Sequence, residues 1–252
     1  MKNPMDMTGK RVLVTGAGSG IGRATAILVS ELGASLVLVG RDAEKLTLTA
    51  ERLATRNVAI EPFDLSKTDD IVEWMRALAV RHGRIAGLAN CAGIQSFHPL
   101  RALTAKALDR LLRVNTVAAA MLLKAIQLKD CGCDEASVVM VSSTAALLGV
   151  PANGAYGATK AAVLALVRTA ALELVDRGIR VNAVAPALVE TEMVQRTRQT
   201  MTTEAFEGMV RGHPMGIGRP EDVANSICFL LSSASRWITG VTLIIDGGVS
   251  LP

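Results

Sequence analysis

Short aliphatic runs at 12–14, 36–39, 58–60, 85–89, 138–141, 181–185 and 243–245 alternate with longer segments at 21–32, 43–54, 69–82, 104–128, 155–175 and 220–231, where apolar residues recur every three or four positions. Runs of the first kind suit buried strands, and segments of the second kind suit helices with one apolar face. Strands joined by helical crossovers lie parallel, and right-handed crossovers cover both faces of the sheet. This rhythm predicts an α/β fold of the Rossmann type, a doubly wound seven-stranded parallel sheet with helices on both faces. In such a fold the binding loops lie at the carboxyl ends of the strands.

A chain of 252 residues, half of them apolar and one fifth charged, can bury the core of one such domain. With no linker, repeat or low-complexity tract, residues 1–252 read as a single domain. Only 3% of the residues are aromatic, as suits helices packed on a parallel sheet of small aliphatic side chains. The one stretch that fits no strand, 190–218, carries Met193, Met201, Met209 and Met215 among polar residues and reads as a substrate lid.

The net charge of +4 comes from Lys and Arg scattered along the chain, not gathered in a tract or on one helix face. Without a recognisable module, that excludes a nucleic-acid partner. The longest apolar stretch, near 161–175, is broken by Arg168 and Glu173 and falls short of the roughly 18 residues needed to cross a bilayer. The first nine residues lack the apolar centre of a signal peptide. A soluble, cytoplasmic protein is expected. Cys91, Cys131, Cys133 and Cys228 lack the spacing of a zinc site, and 131–133 reads as a solvent-side loop with reduced thiols, so no metal is expected.

The first strand runs directly into Gly16, Gly20 and Gly22, and a helix opens there. Without side chains at these positions the backbone can turn tightly and approach a dinucleotide pyrophosphate, whose charge is favoured by the helix start. Ser19 and Ile21 lie within the same turn. An ordinary glycine-rich turn is the alternative, and the position at the first βα junction argues for the cofactor.

At the end of the second strand an NAD enzyme would usually present a carboxylate to the ribose, and Gly40 stands there instead. The neighbouring Arg41 can hydrogen-bond a 2′-phosphate, with each charge-assisted bond contributing roughly 1.5–3 kcal/mol, which favours NADP. Asp42 is a plausible helix N-cap and also keeps NAD possible. Asp64 and Leu65 close the third strand, and Asn90, Ala92 and Gly93 close the fourth, on the edge where adenine and ribose would lie.

Tyr156 and Lys160 are one helical turn apart, about 6 Å along the axis, so an ammonium can lie near the phenol and favour its charged form. Bringing a phenol from about 10 to near 7 needs roughly 4 kcal/mol of selective stabilisation, which a lysine and an oxidised nicotinamide can jointly supply. Ser143, thirteen residues before the tyrosine, ends the fifth strand and can donate to a substrate oxygen. A chance Tyr-Lys pair on an amphipathic helix is the alternative.

From Lys10 to Gly248 the chain resembles the short-chain dehydrogenase/reductase family. The resemblance implies that Ser143, Tyr156 and Lys160 match the family's catalytic serine, tyrosine and lysine. It also implies that Asn115 is the fourth member, supporting a proton supply to the lysine, although a helix-interior polar residue would look the same. Asp64, Asn90, Ile94, Pro186, Val189 and Thr191 are implied to surround the cofactor, with Thr191 near the nicotinamide amide. The chain departs from the family's usual pattern at Ala187, where glycine is common, at Cys91, where asparagine is common, and at Ser19, where some NADP-using members carry a basic residue. The segment from Ile238 to Gly248 resembles a subunit contact, which implies a homotetramer.

The resulting expectation is an NADP(H)-preferring oxidoreductase acting on a small ketone or secondary alcohol. A 3-oxoacyl-carrier-protein reductase is the alternative within the family. Arg177 stands where such an enzyme places a basic residue, but Asp134 and Glu135 would repel an acidic carrier. A non-catalytic nucleotide-binding protein is the alternative from another class. His82, His98 and His213 show no spacing that suggests a triad or a metal site.

Overall fold

The computed structural model describes residues 3–199 and 201–251. Met1, Lys2, Thr200 and Pro252 lie outside the described residues, and with them the ends of the expected 1–252 domain and one position of the 190–218 segment.

Seven strands form one sheet: β1 (Arg11–Thr15), β2 (Ser35–Gly40), β3 (Val58–Pro62), β4 (Ile85–Asn90), β5 (Gly132–Val141), β6 (Arg180–Pro186) and β7 (Thr242–Ile245). Their order is β3-β2-β1-β4-β5-β6-β7, and every neighbouring pair is parallel. The connecting helices are α1 (Gly20–Glu31), α2 (Ala43–Ala50), α3 (Ile71–His82), α4 (Ala105–Leu112), α5 (Ala118–Ile126) and α6 (Gly154–Glu173). Two further helices, α7 (Glu192–Gln199) and α8 (Thr203–Arg211), fill the stretch that fits no strand, and α9 (Pro220–Leu231) precedes the last strand.

Each central strand divides its aliphatic run between two cores, because successive side chains point to opposite faces of a sheet. Leu13 of β1, Val37 of β2 and Met140 of β5 join one cluster with Leu78 of α3, Leu122 of α5 and Val167 of α6. Val14, Leu38 and Val139 join the other, with Val29 of α1 and Ile227 of α9. Burial on both faces is why these strands read as unbroken apolar runs, without alternation.

The chain leaves β1 toward β2 on one side and returns to β4 on the other, so the crevice between the carboxyl ends of β1 and β4 is the switch point where an open α/β sheet binds ligands. Thr15 and Asn90 face each other there, and Thr15 Oγ1 donates to Asn90 Oδ1 at 2.6 Å while accepting from the Ala92 amide at 3.1 Å.

The expectation of a solvent-side loop at 131–133 is corrected. Cys131 is fully buried and Cys133 already lies in β5. The Ile85 amide donates to Cys131 O at 2.8 Å and thereby draws this stretch into the sheet.

Candidate active site

At the end of β1 the backbone reverses through Gly16, whose φ of 65° lies in the left-handed region where glycine is favoured. A Cβ there would meet the Ala92 amide nitrogen at 3.0 Å. A Cβ on Gly22 would collide with Gly16 O, and one on Gly20 would meet Thr191 Cγ2 at 2.9 Å. Ser19 is the N-cap of α1, yet its side chain makes no cap hydrogen bond. The result is a side-chain-free cradle backed by the uncapped amides of a twelve-residue helix, and an anionic pyrophosphate fits it.

The four candidate catalytic residues converge at the carboxyl ends of β4 and β5. Tyr156 and Lys160 lie on the first turns of α6, both more than nine-tenths buried. Lys160 Nζ sits 5.7 Å from the centre of the Tyr156 ring and donates to Val141 O at 2.9 Å. A Cβ on Gly93 would lie 3.2 Å from that nitrogen. Asn115 is held in a π-helical segment (Arg113–Val117) that widens the turn between α4 and α5. Its Nδ2 donates to Ile94 O at 2.9 Å and to Thr159 Oγ1 at 3.0 Å, and its Oδ1 accepts from the Ile94 amide at 2.9 Å. That amide side chain therefore fastens the loop after β4 to α6. Ser143 lies two residues beyond β5 and its hydroxyl accepts from the Ala145 amide at 3.2 Å.

Burial pushes the Tyr156 phenol up to about 12, an effect partly offset by a hydrogen bond with Ser143. Burial also brings the Lys160 ammonium down to about 8. In the protein alone, desolvation of the phenolate is the largest influence on this phenol. At neutral pH the phenol is a held proton.

A family profile described as enoyl-(acyl carrier protein) reductase matches residues 16–250. The 3-oxoacyl-(acyl-carrier-protein) reductase of Thermotoga maritima is 34% identical over 248 residues, covering 97% of this chain and 99% of that protein. Among solved structures, a dehydrogenase/reductase from Sinorhizobium meliloti 1021 superposes with a TM-score of 0.90 at 27% identity, covering 98% of this chain and 97% of the other. ElxO with NADP bound superposes with a TM-score of 0.84 at 29% identity, covering 95% and 98%. The chain belongs to the short-chain dehydrogenase/reductase family. It is thus an enzyme of a family that uses a nicotinamide dinucleotide, and its sheet is the family's Rossmann sheet.

In this dehydrogenase/reductase the remaining candidate residues stand at or just beyond the ends of strands β2, β3 and β6. Arg41 is exposed at the end of β2. Asp64 accepts from the Ser66 amide at 3.0 Å, and that bond, with Arg41 and Lys67 nearby, holds its carboxyl below the usual range. Asp42 caps α2 by accepting from the Lys45 amide at 3.2 Å. Leu65 is buried and its side chain packs into one core. Pro186 ends β6, opposite Ile245 of β7. Val189 bridges to Gly218, and the Glu190 amide donates to Gly218 O at 2.8 Å, so 190–218 leaves and rejoins the body at one point.

Arg23 carries no mark in the sequence of the contacts that it makes in the structure. Arg23, one turn into α1, donates to Gly18 O and lies 3.3 Å from Glu192 of α7, tying the glycine turn to that helix. A cavity of about 320 Å³ beside the turn is walled by Gly20, Arg23, Thr191 and Glu192. His213 accepts from the Leu188 amide through Nε2 at 3.3 Å and holds Met209 O through Nδ1 at 2.8 Å, so it binds α8 to the loop after β6. Arg177 pairs with Asp134 at 2.7 Å and also reaches Gly132 O and Gln127 O.

Proposed function

We propose that this enzyme is an NADP(H)-preferring oxidoreductase that interconverts a small free ketone and a secondary alcohol, with Tyr156 as the proton-transferring group. The observation that carries the reading is the cluster of buried Asn115, Tyr156 and Lys160 with the half-buried Ser143, beside a glycine cradle at the switch point of the sheet. One domain spans 1–252, with 190–218 as the lid. Gly16, Ser19, Gly20, Ile21 and Gly22 hold the pyrophosphate, Arg41, Asp64, Leu65, Asn90, Ala92 and Gly93 flank the adenosine half, and Tyr156, Lys160, Pro186, Val189 and Thr191 flank the nicotinamide half.

When bound, the cofactor supplies a hydride to the carbonyl carbon, or takes one from the alcohol. Ser143 orients the substrate oxygen against Tyr156, which donates its proton in reduction and receives one in oxidation. Lys160, held by Val141 O, stabilises the phenolate that reduction leaves behind. Asn115 fixes the loop after β4 against α6 and keeps this geometry in place.

Arg41 favours the 2′-phosphate because Asp42, the carboxylate that would favour NAD, is engaged as the cap of α2. The free-ketone reading is favoured over the carrier-linked one because Arg177 already serves Asp134 and two backbone carbonyls and is not offered to an acidic partner. We place the enzyme in the cytoplasm as a homotetramer.

A panel of free ketones, acyl thioesters and sugars, assayed with NADPH and NADH, tests the reading. Free ketones should be reduced fastest, and NADPH should be preferred at least about tenfold, a preference that Arg41→Ala removes. Faster turnover of acyl thioesters overturns the substrate reading. A cofactor preference unchanged by Arg41→Ala overturns the role given to that side chain.

A further inference from the structure

Three residues before Tyr156, at the N-cap position of α6, stands Asn153. It is 6% exposed, yet its side chain makes no cap hydrogen bond, although capping is what favours asparagine at that position. Its Oδ1 accepts instead from Gln95 Nε2, on the loop after β4, at 3.4 Å. The preceding residue, Ala152, has a left-handed φ of 62°, which side-chain-bearing residues adopt rarely and keep only where the surroundings dictate it. A bond from the His98 amide to Ala152 O, 2.7 Å long, stitches the two loops together and holds that turn. Gly149 and Gly154, on either side of this turn, are exposed, and a Cβ added at either would meet nothing within 4 Å.

This amide pair keeps unused capacity. Asparagine and glutamine each carry two N–H donors and a carbonyl acceptor, and the pair spends one donor and one acceptor on each other. Among the described residues, none accepts from Asn153 Nδ2 or donates to Gln95 Oε1. Turning both amides over exchanges which residue offers which group and still leaves one donor and one acceptor. The only fully buried side-chain nitrogen or oxygen without a partner among the described residues is Thr25 Oγ1, so the free groups of the pair are not sealed off from solvent.

We propose that Gln95 and Asn153 form a second polar anchor for the substrate, and that the preferred ketones carry a hydroxyl on the carbon next to the carbonyl, the matching alcohols being vicinal diols. The inference rests on the oxidoreductase reading above. A hydroxyl both donates and accepts and so engages both free groups, whereas an ether oxygen engages one and a methylene neither. Asn153 and Tyr156 share the first turn of α6, so a polar group held by the amide pair belongs on a carbon close to the carbonyl held by Tyr156. A site with polar groups waiting to be paired discriminates against analogues that leave them unpaired.

The test compares kcat/KM for hydroxyacetone, methoxyacetone and butanone in the parent enzyme and in Gln95→Met and Asn153→Leu. Hydroxyacetone should exceed butanone by about tenfold or more, with methoxyacetone between them, and the ratio should fall toward one in both variants. Because the ratio is taken within one protein, partial loss of folded variant does not change it. A ratio near one in the parent enzyme, or a ratio that survives both substitutions, overturns the proposal while leaving ketone reduction intact. Turnover of none of the three, nor of any other carbonyl, with either cofactor overturns the oxidoreductase reading and this proposal with it.

Discussion

At the scale of single residues, the site turns on two ionisable groups that burial moves in opposite directions. Neutral phenol and neutral amine are both favoured by a dry surrounding, so Tyr156 is raised to about 12 and Lys160 is lowered to about 8. The proton that ketone reduction needs is therefore securely held at neutral pH, and the group that titrates first is the lysine. Its folded value is depressed, so the cation persists below about pH 8 and is lost as pH rises through that value. The kcat/KM for reduction should accordingly be level up to about pH 8 and fall above it. In Lys160→Arg, whose guanidinium stays charged, any surviving activity should lack that break. A profile level to pH 10 in the parent enzyme would show that the cation is not required.

At the scale of elements, the glycine turn and the ends of the helices depend on backbone groups finding partners. Arg180, at the start of β6, illustrates this beyond the site. Nη1 reaches Leu230 O at 2.9 Å, Ser235 O at 3.1 Å and Ser235 Oγ at 2.8 Å, and Nη2 reaches Ser232 O at 3.0 Å. It thus satisfies carbonyls at the C-terminal end of α9, where a cation also meets the favourable end of the helix dipole. Arg180→Ala should cost roughly 2–3 kcal/mol, read as a melting temperature lower by about 5–10 °C, and an unchanged melt would show that water replaces the guanidinium without loss. The strand and helix rhythm was legible in the sequence because both faces of the sheet are buried, which leaves whole aliphatic runs visible. Gly16, Gly20 and Gly22 were legible for a related reason, since absent side chains can be read from sequence directly. What could not be read were contacts between distant segments, among them Thr15 with Asn90, Asn115 with Thr159 and Gln95 with Asn153. Nor did the pattern over 104–128 show the π-helical turn that aims Asn115, because the apolar spacing runs through it unbroken. The misreading of 131–133 has the same root, for a Cys-Gly-Cys sequence carries no mark of the β4 partner that buries it.

At the scale of the whole molecule, β7 is the outer strand of the sheet, with Leu243 and Ile244 both exposed, and Trp237 nearby is 90% exposed. An uncovered apolar edge of this kind is managed in soluble proteins by pairing or covering it. Light scattering should give a mass about four times that of the 26.5 kDa chain, lowered by Leu243→Lys, and a monomer at all concentrations would refute the tetramer. In the proposed function, subunit assembly, cofactor cradle and lid all serve one act, delivery of a proton from Tyr156 to a substrate oxygen. The most direct measurement of that act is the rate of ketone reduction by Tyr156→Phe, which keeps the ring and removes the proton. The rate should drop by about a hundred- to ten-thousandfold while cofactor affinity stays near that of the parent enzyme. A variant that reduces ketones as fast as the parent would contradict the account.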